Sequence, residues 1–62
     1  PIRVVEMHDL IAMKLRADRP QDDYAIAQII AHTPIDAHVI RSRVEADQFV
    51  RYEAIKRRIG AP

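Results

Sequence analysis

Sixty-two residues carry a formal net charge of +1, no cysteine and a hydrophobic fraction of 48%. These figures allow one domain at most, exclude disulfide stapling, and give no global basic field of the kind that would demand a nucleic-acid partner. No apolar run approaches the ~20 residues of a membrane span, and no signal-peptide pattern opens the chain, so a cytoplasmic protein without membrane contact is expected.

Pro1 to Val5, PIRVV, is β-branched and extended in character. Five residues cannot form a sheet alone, so a strand here would add to the edge of something else. A first helix is expected over 7–17. Met7, Leu10, Ile11 and Leu15 make its apolar stripe, with Lys14 in a slot that should be apolar. Pro20 stops this helix, because it biases Arg19 away from αR. A second helix is expected over 21–32, with Ile26, Ile29 and Ile30 inward and Asp22 one turn before Ile26 on the same face. The corner Ala-Asp-Arg-Pro is short enough to make the two helices neighbours. The spacing therefore predicts that Lys14 and Asp22 approach each other across the seam, with Arg19 nearby. The plain alternative is a snorkelling lysine and an aspartate complementing the helix dipole.

Thr33-Pro34-Ile35-Asp36 reads as a helix start, with Thr33 as cap, Pro34 at N1 and Asp36 at N3. The third helix is expected over 35–44, carrying Ile35, Val39, Ile40 and Val44 inward. The apolar phase then slips by five residues between Val44 and Phe49. That slip places a break near Glu45 and a fourth helix over 46–59, presenting Ala46, Phe49, Val50, Ile55 and Ile59. One long bent helix is the alternative, since no Gly or Pro forces the break. Gly60 and Pro62 supply stop signals. The expected fold is all-α, a single small module of three or four short helices over 1–62 with a short extended lead-in. An opening residue other than Met and the surplus apolar content suggest a fragment or truncated relative of a larger protein.

Chemistry is sparse. His8, His32 and His38 fit no metal-ligand spacing and read as surface or boundary residues. The only glycine, Gly60, leaves no phosphate loop, and the sole serine, Ser42, lies on a charged helix face. Arg51, Lys56, Arg57 and Arg58, with Tyr52 among them, form a basic end. It suits either a nucleic-acid contact or, more simply, the dipole of the last helix. No enzyme is expected from these residues alone.

Asp9 to Ile26, DLIAMKLRADRPQDDYAI, resembles the C-terminal helical motif of nucleotidyltransferase toxins of the abortive-infection type. Those proteins carry a hydrophobic helix with an internal lysine, then an Ala, an Arg and an acid opening the next helix. Lys14, Ala17, Arg19 and Asp22 match in that order, while Ala25 stands where a second acid usually follows. PIRVV is similar to the strand that precedes that helix. The resemblance implies that Lys14 and Asp22 take part in catalysis and that Arg19 contacts substrate, together completing a nucleotide-phosphate site. It also implies that the Gly-Ser loop and Asp-x-Asp pair, with Mg and nucleotide, belong to an upstream domain. No cofactor is then expected on this chain alone. The partners implied are that upstream domain or a second copy, with an antitoxin as a further candidate. A reading of a different class is a small antitoxin-like or dimerising module, binding protein or DNA. A strand followed by two helices is also the outline of ribbon-helix-helix proteins, although Arg3 is the only basic residue in the lead-in.

Overall fold

A computed structural model describes residues 3–60. It contains four helices: α1 (Val4–Ala17), α2 (Asp22–His32), α3 (Ala37–Arg43) and α4 (Ala46–Arg58). The architecture is all-α, as the periodicity predicts.

The start of α1 differs from expectation. Val4 and Val5 belong to the helix, and only Arg3 is extended, at φ −74° and ψ 149°. The Arg3 carbonyl accepts from the amides of Glu6 at 3.0 Å and Met7 at 3.3 Å. Two β-branched residues favour a strand only weakly, and a strand without a neighbouring edge leaves its ladder groups unpaired. Extending the amphipathic helix backward satisfies them instead. The rest of the expected lead-in, Pro1 and Ile2, lies outside the described residues. Lys14 and Arg16 in the last turn of α1 face its negative dipole end, and Asp18 closes the helix in the left-handed conformation, φ 54°.

The corner from Asp18 to Gln21 feeds straight into α2. The amide of Asp22 donates to the Arg19 carbonyl at 3.0 Å and that of Asp23 to the Pro20 carbonyl at 3.1 Å. Thr33 is extended and ends α2. Thr33 therefore does not start α3, whose cap is Asp36: its Oδ1 accepts from the His38 amide at 2.9 Å. α3 thus begins two residues after the expected start, because the carboxylate serves as N-cap rather than as the acid at N3. The break before α4 stands where the phase slip predicts it. Val44 is extended, and Gln48 Oε1 accepts from the Glu45 amide at 2.9 Å, so α3 and α4 are separate helices. Side-chain capping makes this boundary without Gly or Pro.

The core takes residues from every helix: Ile11, Ala12 and Leu15 of α1, Ile26 of α2, Ile40 of α3, and Tyr52 and Ile55 of α4. α1 packs against each of the other three helices, and α4 also packs on α2 and α3. Two expectations change here. Tyr52 is a fully buried core residue, not part of a solvated basic end, and its ring stacks on Phe49 with centroids 5.6 Å apart. Val50 and Ile59, expected inward, are exposed, because the buried stripe of α4 runs through Tyr52 and Ile55. No described helix is long and apolar enough to cross a membrane.

Candidate functional site

The seam between α1 and α2 holds the charged group that the helix spacing predicts. Lys14 Nζ donates to Asp22 Oδ1 at 3.3 Å. Arg19 Nε donates to Asp22 Oδ2 at 3.0 Å, and its Nη2 reaches Oδ1 at 3.5 Å. One carboxylate therefore holds two cations from two directions, one from α1 and one from the corner. The Asp22 side chain is 6% exposed, whereas that of Lys14 is 22% and that of Arg19 58% exposed. The acid is the buried pivot and the two bases are its progressively wetter arms.

The location explains how a buried charge survives here. Asp22 opens α2, where the positive end of the helix dipole favours an anion. Burial opposes its ionised form. The hydrogen bonds from Arg19 and Lys14, reinforced by their charges, outweigh that, and the carboxyl titrates below the usual carboxylate range. Both Asp22 oxygens are already taken by cations, so this donor set does not suit a divalent metal. Among the described residues no three His, Cys, Asp or Glu side chains converge on a common point.

A second polar knot lies directly behind the corner. Arg51, from the middle of α4, donates through Nη1 to Asp18 Oδ1 at 2.8 Å, through Nε to Asp23 Oδ1 at 2.9 Å, and through Nη2 to the Arg19 carbonyl at 2.8 Å. Its Nη2 also contacts Asp23 Oδ1. The guanidinium fork thus grips three points on either side of the corner that carries Arg19 and Asp22. In the sequence Arg51 belongs with Lys56, Arg57 and Arg58 at the basic end. No local signal joins it to acids 28 and 33 residues away.

His8 also departs from the expected surface position, being only 6% exposed. The Asp36 amide donates to its Nε2 at 2.8 Å, so Nδ1 carries the proton and donates to the Val4 carbonyl at 2.8 Å. The ring is a spacer tying α1 to the turn before α3. A periodicity signal for it does exist: His8, Ile11, Ala12 and Leu15 stand at i, i+3, i+4 and i+7, the stripe that is buried. On the other side of α1, Arg43 pairs with Asp9, and the Arg43 carbonyl accepts from Arg16 Nη1 at 3.1 Å.

Lys14, Asp22 and Arg19 therefore meet in one place, while His8, Arg51 and Tyr52 have structural contacts of their own. Compared with protein families, with curated proteins and with solved structures, the chain finds no match in any of the three.

Proposed function

We propose that this chain is a helical module that completes a nucleotide-phosphate site in a nucleotidyltransferase-like protein, without transferring nucleotide by itself. The observation that supports this reading is the shared carboxylate. Asp22 presets two cationic groups at one corner, and the more exposed of them, Arg19, has donors free of Asp22 to offer. Lys14 supplies a point charge and Arg19 a planar fork, the pairing suited to the oxygens of a phosphate. Within the group itself, two cations share the one carboxylate of Asp22. The ordering cost of both side chains is met before a ligand arrives. In this reading the reacting groups and any metal belong to a separate partner domain.

The test is a titration of pyrophosphate and ATP into the ¹⁵N-labelled chain. The reading expects saturable shifts centred on Lys14, Arg19 and Asp22, weakened in Lys14→Met while the fold persists. Absence of saturable shifts, or unchanged affinity in a folded Lys14→Met variant, refutes it.

A rival reading, a small dimerising or antitoxin-like interaction module, has a different observation on its side. Val5, Met13, Tyr24 and Val50 are 49%, 53%, 74% and 61% exposed, a large apolar display for so short a chain. Sedimentation equilibrium at micromolar concentration separates the two. A concentration-dependent dimer favours the module, whereas a monomer that binds pyrophosphate favours the phosphate site. The ribbon-helix-helix variant of that rival loses ground, because Val4 and Val5 are helical.

A further inference from the structure

We infer that Arg51 is a positioning residue for the Lys14–Arg19–Asp22 corner, acting on a bound phosphate through Arg19; this inference rests on the phosphate-site reading above. Three observations converge on it. First, Arg51 bonds the backbone carbonyl of Arg19 itself, at 2.8 Å, and that carbonyl is the one that accepts the Asp22 amide. The same oxygen therefore fixes the turn from both the α4 side and the α2 side. Second, Arg51 occupies the carboxylates of Asp18 and Asp23, which flank Arg19 and Asp22 in the chain. Without Arg51, the carboxylates of Asp18 and Asp23 lose the cation that holds them at this turn. They also repel any incoming anion. Third, the Arg51 side chain is 20% exposed against 58% for Arg19, so Arg51 is seated in the packed face of α4 while Arg19 reaches solvent.

Arg51 therefore does two things at once. It pins the turn that aims Arg19, and it offsets one of the two negative charges immediately behind the site. A lysine keeps the charge but has no fork to hold a carbonyl and two carboxylates together.

The test is a double-mutant cycle read by pyrophosphate affinity on the full 62-residue chain. Arg51→Met is expected to weaken pyrophosphate binding on the order of tenfold, as removal of an outer partner that orients a binding group does. In an Arg19→Met background the same change is expected to have little further effect, because its action passes through Arg19. Arg51→Lys is expected to fall between, and it carries the test if Arg51→Met does not fold, as judged by circular dichroism. The Arg19 Nε–H resonance supplies a second readout: it should shift in the Arg51 variants while core amides such as those of Ile11 and Ile26 stay in place. A folded Arg51 variant with wild-type affinity, or losses that simply add across the cycle, overturns the inference and leaves the phosphate site standing. Wild-type protein that does not bind pyrophosphate overturns both.

Discussion

Tyr52→Phe isolates one hydroxyl in the centre of the core. The Tyr52 side chain is fully buried, and its hydroxyl has no hydrogen-bond partner among the described residues. A desolvated hydroxyl left unpaired costs about 1–3 kcal/mol. The substitution keeps the ring, its stacking on Phe49 and its contacts in the Ile11, Leu15, Ile26, Ile40 and Ile55 cluster, and removes only the oxygen. We therefore expect a gain of about 1 kcal/mol, allowing for imperfect filling of the vacated space, or a rise in Tm of roughly 4–8 °C for a domain of this size. Urea unfolding followed by far-UV circular dichroism measures it. An alkaline arm checks the same argument independently. Burial, and then the negative charges of Asp36 and Glu53, push the Tyr52 phenol up from its ordinary value. The folded state thus keeps its proton where the unfolded phenol, at roughly 10, gives it up. The linked stability is whole below pH ~10 and is lost as pH rises through the higher folded value. Tyr52→Phe should abolish that alkaline loss. A variant destabilised by 1 kcal/mol or more would show that the hydroxyl is bonded in solution, and the reasoning would fail.

Other perturbations follow from the same contacts. Lys14→Met should leave stability within about 1 kcal/mol of wild type in chemical denaturation, because a partly exposed ion pair contributes little and the methionine retains the apolar stem contacts; a larger loss would make Lys14 a structural keystone. Asp22→Asn should lower Tm at neutral pH. Because the Asp22 carboxyl titrates below the usual range, its stabilisation is present at neutral pH and vanishes as pH falls through the folded value, so thermal melts across the acid range should converge for wild type and variant. His8→Leu strands the Asp36 amide and should cost about 2 kcal/mol in urea unfolding; a neutral result would show that this amide finds water readily.

Much of the fold follows from local chemistry. Pro20 ends one helix, the stripe Ile26, Ile29 and Ile30 marks the next, and the slipped apolar phase after Val44 marks the last. The approach of Lys14 to Asp22 was equally legible, since a four-residue corner leaves two adjacent faces little choice of partner. What was not legible depends on distance along the chain or on polar groups acting as core. His8 is buried because the Asp36 amide and the Val4 carbonyl satisfy it, and a hydropathy pattern gives a histidine no credit for that. Tyr52 lies between Arg51 and Glu53, just before the basic run Lys56 to Arg58, and those charges mask its stripe with Ile55. Arg51 joins acids from the far end of another helix pair, and only the assembled bundle brings them together. At Val4 and Val5, β propensity lost to helix continuity.

The clamp made by α4 also bears on how the chain reaches its native state. Of the four described helices α1 is made before the others, yet α4, the last of the four, is one of those that pack on it. Until α4 arrives, the emerging polypeptide holds an uncovered apolar stripe and a corner whose carboxylates lack their guanidinium partner. The Arg51 contacts with Asp23 and Asp18 span 28 and 33 residues of chain, so they carry a loop-closure cost that the local helical turns do not.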